Sequence, residues 1–115
     1  MKLNWNISVG GTLPCPDTAL GAILSNALEN AMHGLEESAL PEKWTNLTVS
    51  EKKNHLLLQI ENPIEKIPKF VDGIPASEKK GHGIGVKSII YYVEQLNGQC
   101  HFSVTDHSFI LRIII

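Results

Sequence analysis

From Asp17 the chain sets Leu20, Ile23, Leu24, Ala27, Leu28, Ala31 and Leu35 at i, i+3, i+4 and i+7 spacing, and no other feature limits the fold so strongly. The spacing draws one apolar stripe along a helix that opens on an aspartate N-cap and ends near Gly34. Such a stripe must be laid on another layer. On either side of it the period switches to two, the signal of strands. "KLNWNISV" alternates Leu3, Trp5, Ile7 and Val9 with polar residues and predicts a half-buried strand. "NLTVSEKKNHLLLQIEN" predicts two strands around a polar turn at Lys52–Asn54. Its second half, "HLLLQIEN", is apolar enough for the centre of a sheet.

Residues 63–80 hold three prolines and no sustained period, which predicts a long irregular loop of the kind that is usually functional or mobile. Helical spacing returns in Val86, Ile89, Ile90, Val93 and Leu96 and stops at Gly98, in the usual place for a C-terminal glycine. "QCHFSVTDHSFILRIII" then predicts two strands around a Thr105–His107 turn. The order is strand, helix, two strands, loop, helix, two strands. It predicts an α/β (α+β) two-layer sandwich, a mixed sheet covered on one face by helices. With 115 residues, 43% of them hydrophobic, the chain suffices for one domain, 1–115, and is too short for two.

The formal net charge of −2 argues against a general nucleic-acid binder. Its distribution is uneven: from Lys66 to Lys87 there are five lysines against Asp72 and Glu78, so this segment carries 5 − 2 = +3 and the remainder −5. That pattern suits a local anion site. Cys15 and Cys100 form no CxxC pair and follow no signal-peptide pattern, and are expected to be reduced, buried thiols of a cytoplasmic protein. No apolar run approaches the roughly 20 residues that span a bilayer, so no direct membrane contact is expected.

Two constellations carry chemistry. Opposite the Leu/Ile face of the first helix, Asn26, Glu29, Asn30 and His33 share an arc of about 100°. A solvated face is the plain explanation, but such a face would more naturally use Glu, Lys or Gln, because asparagine is a poor helix former. Asparagines at i and i+4 suggest a demand for amide oxygens, such as ligands to a hard cation. In "KKGHGIGVKSII", Gly81, Gly83 and Gly85 run straight into the second helix. A flexible turn is one explanation of that run. The other is a phosphate held against free N–H groups at the positive end of a helix dipole, which the missing Cβ atoms let it approach. A Rossmann site is disfavoured because these glycines do not follow a strand, and GxxxxGK[ST] is absent. His101 and His107 beside Cys100 complete no tetrahedral metal set, and His55 reads as an exposed strand end.

Taken together, "LSNALENAMHG", then a strand ending "IENP", then "GHGIGVKSI" about 50 residues after the first motif resemble the ATP-binding domain of sensor histidine kinases. That domain belongs to the GHKL superfamily, with gyrase, heat-shock-90-type chaperones and mismatch-repair ATPases. The likeness covers essentially the whole chain and is nearest to the peptide- and quorum-sensing kinases of Gram-positive bacteria. It implies a Bergerat-type mixed sheet, ATP as ligand and Mg²⁺ as cofactor. Asn30 stands where the family's asparagine ligates Mg²⁺ between the phosphates, and Asn26 one turn earlier faces the same ion or its waters. Gly81, Gly83 and Gly85, with Ile84 and Val86 between and after them, match the second glycine box. His82 is a candidate phosphate or lid contact, Lys79 and Lys80 are candidates to neutralise the γ-phosphate, and His33 shares the asparagine stripe.

Two departures stand out. The family's first glycine box reads DxGxG, and its aspartate accepts a hydrogen bond from the adenine amino group. Here the strand ends "IENP", so Glu61 or Asn62 is expected to make that contact, with Asp72 of "VDG" as a rival. Members that hydrolyse ATP resemble one another in having a glutamate at the position of Asn26. An amide cannot accept a proton at neutral pH, so kinase-like transfer is expected rather than hydrolysis. Glu29 is the candidate base toward an incoming histidine. The implied partners are the receptor's own dimerisation and phosphoacceptor helices and a response regulator. The chain is accordingly expected to be a fragment of a longer membrane receptor whose 63–80 loop closes as a lid. The alternative is a nucleotide-binding or interaction module that keeps the fold and has lost transfer.

Overall fold

A computed structural model describes residues 2–10, 16–36, 38–76, 84–105 and 107–115. In chain order the elements are β1 (Lys2–Ser8), α1 (Asp17–Glu36), β2 (Trp44–Lys52), β3 (His55–Pro63), β4 (Lys69–Val71), β5 (Ile74–Ala76), α2 (Ile84–Gln95), β6 (Gln99–Val104) and β7 (Ser108–Ile114). Five strands form one sheet in the order β1-β2-β3-β7-β6, and β4 with β5 forms a separate hairpin. Only β1 with β2 is parallel within the larger sheet, as a strand–helix–strand connection requires, and every other neighbouring pair is antiparallel. The expected mixed sheet is present, with "HLLLQIEN" as its third and central strand.

Alternation along β3 separates the two faces of the sheet. Leu56, Leu58, Ile60 and Asn62 are buried, while His55 is exposed and Leu57, Gln59, Glu61 and Pro63 are partly covered. The buried set joins Leu47 and Val49 of β2, Phe109, Leu111 and Ile113 of β7 and Phe102 of β6. On this side Ile23, Ala27 and Ala31 of α1 and Val86, Ile89 and Val93 of α2 close the core. No described helix lies on the other face. That face is dressed in polar pairs: Asn4 Nδ2 donates to Asn46 Oδ1 at 2.9 Å, and Arg112 Nε and Nη2 donate to Gln59 Oε1 at 3.2 and 3.0 Å. Polar atoms can stay there because water or a neighbouring strand satisfies them.

Three expectations need correction. Residues 63–80 are not wholly irregular, because Lys69–Val71 and Ile74–Ala76 pair as a hairpin closed by Asp72 and Gly73, both at positive φ (54° and 77°). That is the geometry of a two-residue primed turn, which Asp-Gly favours. The second helix does stop at Gly98, but the left-handed residue of its cap is Asn97, at φ 57°. Gly98 N–H donates to Val93 O at 2.9 Å and Asn97 N–H to Glu94 O at 3.0 Å, the paired bonds of a Schellman motif. Finally, β1 is not half-buried: all seven of its residues are exposed. It is the sheet's edge, and its apolar side lies beyond the cover of the helices.

Candidate functional site

On α1 the polar stripe divides in two. Asn26 and Asn30, one turn apart, are partly buried at the margin of the core stripe, whereas Glu29 and His33 are exposed. His33 Nδ1 lies 4.0 Å from Glu36 Oε2, with both side chains about 70% exposed (72% and 69%), so this contact fixes little in water. Partial burial of these two residues is the feature a solvated helix face would lack. α1 itself packs against α2.

The end of β3 contributes by parity. Asn62 is 7% exposed on the face that carries the helices, and its Nδ2 donates to Pro63 O at 3.2 Å. Glu61 points to the opposite face, where Ser108 Oγ donates to its Oε2 at 2.6 Å and a further 2.6 Å bond joins Ser108 Oγ to Thr105 Oγ1. Of the two residues expected to read adenine, only Asn62 shares a layer with Asn26 and Asn30. Asp72, the rival, sits in the β4–β5 turn and borders a different depression.

Lys79, Lys80, Gly81, His82 and Gly83 lie outside the described residues, so the second glycine box is represented by Gly85, inside the first turn of α2, and by the backbone of Ile84 at its start. Val86, two residues on, is buried at 6% exposure and belongs to the core. The first turn of α2 carries no acidic side chain, so no carboxylate of that turn offsets the positive end of its dipole. Among the described residues no group of three or more His, Cys, Asp and Glu could cage a metal. The amides of Asn26 and Asn30 do fit Mg²⁺ shared with phosphates, because that ion keeps several waters and accepts one or two protein oxygens beside its phosphate ligands.

A depression of about 520 Å³ does not coincide with these amides. It lies between Asp72–Ile74, the Ile90–Glu94 side of α2 and the Gly98–Phe102 start of β6. Cys100 borders it as a free thiol. Burial, assisted by the negative charge of Glu94, pushes that thiol from an ordinary 9.0 up to about 11. At pH 8 the thiolate fraction is then lower by about a hundredfold than in the unfolded chain. In a Cys15→Ser background, iodoacetamide is expected to modify native Cys100 slower by that order and the denatured chain at the normal rate. Because the folded value is raised, the associated stabilisation is complete below pH 9 and is lost as pH rises from about 9 to about 11. The expectation of two buried thiols thus holds in part for Cys100, while Cys15 lies outside the described residues.

Comparisons with known proteins agree with this architecture. Residues 17–115 match the GHKL domain family. Among solved structures, the histidine kinase domain of the blue-light-activated histidine kinase EL346 from Erythrobacter litoralis superposes with a TM-score of 0.77 at 19% identity, over 99% of this chain and 50% of that one. The catalytic domain of the histidine kinase ThkA superposes with a TM-score of 0.75 at 12% identity, over 99% of this chain and 77% of that one. A mycobacterial sensor histidine kinase, MprB, gives 0.71 at 16% identity, over 99% and 80%. The chain spans half the length of the blue-light kinase domain it matches. Among curated proteins none matched. At these identities the structures speak for the fold, and among the described residues no helix is long and apolar enough to cross a membrane. With a family match that runs from the first residue of α1 to the end of the chain, the protein belongs to the GHKL domain family and has the fold of histidine kinase catalytic domains.

Proposed function

We propose that this chain is the ATP-binding catalytic domain of a two-component sensor histidine kinase. The observation that carries the reading is the half-buried Asn26/Asn30 pair on α1, in the same layer as buried Asn62 and the start of α2, whose first turn holds no acidic side chain. In this reading Asn30 and Asn26 hold Mg²⁺ together with the phosphates of ATP, Asn62 reads the adenine amino group with its side-chain oxygen, and the backbone at Gly81, Gly83 and Gly85 meets the phosphates. Bound Mg²⁺ supplies charge neutralisation on the phosphate oxygens. Lys79, Lys80 and His82 stand next to the glycines in sequence and supply further positive charge or donors. Glu29, exposed one turn from His33, is the residue of this helix open to an incoming histidine.

Asn26 decides the reaction class. Its amide does not take a proton from water, so the domain binds ATP without activating a hydrolytic attack. Transfer rests on positioning and on charge neutralisation. The acceptor is a histidine on dimerisation helices that the 115 residues do not supply, and a response regulator takes the phosphoryl group afterwards. The resemblance to the peptide-sensing kinases of Gram-positive bacteria, by "GHGIG", supports a membrane receptor whose cytoplasmic part this domain forms. Given γ-labelled ATP alone, the chain is expected to bind nucleotide and transfer nothing. With dimerisation helices supplied in trans it is expected to label their histidine. Absence of label while nucleotide binding persists would contradict the kinase reading.

A non-catalytic nucleotide module is favoured by one feature, the amide of Asn62 where the family's first glycine box has an aspartate. Equal affinity for ADP with and without Mg²⁺, and no transfer, would select it.

A further inference from the structure

The site leaves unused the most exposed apolar side chains of the sheet. On β1, Leu3, Trp5 and Ile7 are 41, 70 and 58% exposed on the helix side, and Asn4 and Asn6 occupy the other. Their partners on β2, Thr45, Leu47 and Val49, are buried, so the core face of the sheet continues outward into water along its last strand. A parallel ladder bonds alternate residues, and Lys2 N–H donates to Lys43 O at 2.9 Å. The even residues of β1 therefore face β2, and the backbone N–H and C=O groups of Leu3, Trp5 and Ile7 point to the outer edge, where no described strand pairs with them. Natural edges are usually blunted by proline, bulges or inward charge. This one has none of these, and its single charge, Lys2, stands at the end.

We infer that this edge pairs with the same edge of a second copy of the chain, antiparallel and centred on Trp5. The strand is chemically palindromic: Leu3-Asn4-Trp5-Asn6-Ile7 reads apolar, Asn, Trp, Asn, apolar in both directions. A two-fold axis through Trp5 sets Leu3 opposite Ile7, Asn4 opposite Asn6, Trp5 opposite itself and Lys2 opposite Ser8. The hydrogen-bond phase agrees, because the residues that must exchange bonds in this register, 3, 5 and 7, are those whose groups face outward. A slip of one residue would set outward groups against inward ones and Asn against Trp. The result is one ten-stranded sheet with an isologous contact. An aromatic pair at its centre and apolar pairs beside it add to the backbone bonds. The contact is one strand wide and belongs with the interfaces under about 1,200 Å² that make weak, reversible encounters.

Sedimentation of the 115-residue chain from about micromolar to about millimolar concentration tests this. The weight-average mass should rise from 12.7 kDa towards twice that value. Trp5→Glu should stay at the monomer mass throughout with an unchanged melting midpoint, since the side chain is exposed. With Cys15 and Cys100 replaced by Ser, a mixture of Asn4→Cys and Asn6→Cys chains should form several-fold more disulfide dimer than either alone, because only the mixture sets two thiols directly across from each other. A wild-type monomer at millimolar concentration would overturn the inference and leave the edge to a different protein. Self-association that survives Trp5→Glu, or equal cross-linking of mixed and unmixed cysteine chains, would overturn it as well.

Discussion

Replacing Asn30 by alanine is expected to remove the Mg²⁺-dependent part of the thermal shift that ATP gives the parent chain. At about 100 times its dissociation constant a ligand that binds only the folded state adds roughly 2.7 kcal/mol, which is several degrees for a domain of this size. Asn30 is only partly buried, and alanine is the better helix former, so the unliganded variant should melt at the same temperature or slightly above. Lost ligand response without lost stability separates a missing ligand oxygen from a damaged fold. Glu29→Ala, on the exposed side of the same turn, should keep the shift. If the Asn30→Ala shift equals that of the parent, the ion is held elsewhere and the stripe on α1 is a surface.

The second large effect concerns the turn that joins α2 to β6. A Cβ built on Gly98 would lie 2.5 Å from the backbone oxygen of Ile114 and 3.0 Å from Val93 Cγ1. The first contact is with main chain of the neighbouring strand and cannot be relieved by a side-chain rotation. Gly98→Ala is therefore expected to cost about 1–3 kcal/mol, as overpacking in a fixed framework does, and to lower the melting midpoint by about 4 °C or more per kcal/mol. Asn97→Gly, one residue earlier, should be neutral or mildly stabilising, because glycine accepts the left-handed conformation that Asn97 now holds at φ 57°. The opposite ranking would place the conformational demand on the wrong residue of the cap.

The layer order was legible in the sequence because both helices carry long apolar stripes and β3 is apolar on its core side and partly covered on the other. Local signals were enough there. What it could not reach was how far the helices extend over the sheet. Leu3, Trp5 and Ile7 have the period of a covered strand, and the period says which side is apolar but not whether anything lies on it. The β4–β5 hairpin was legible and passed over, since Asp72-Gly73 between Val71 and Ile74 is the usual two-residue turn sequence. The prolines on both sides obscured it.

The site divides in the same way. Which of Glu61 and Asn62 lies on the helix side needed only parity: Leu56, Leu58 and Ile60 set the core side of β3, and Asn62 is the next residue in that series. Helix periodicity put Asn26, Glu29, Asn30 and His33 in one stripe, but burial splits it, because only the asparagines border the core stripe closely enough to be partly covered. The depression between the hairpin, α2 and β6 joins residues from three separate parts of the chain and had no local signature.

Nucleotide is expected in the helix layer, between the asparagines of α1 and the start of α2. The most direct measurement is an amide NMR titration of the chain with a non-hydrolysable ATP analogue and Mg²⁺. Shifts are expected at Asn26, Asn30, Asn62 and Ile84–Val86, while Asn46, Gln59, Glu61 and Arg112 on the open face of the sheet stay in place. Shifts confined to that open face or to the depression around Cys100, or no shifts at all, would contradict the account.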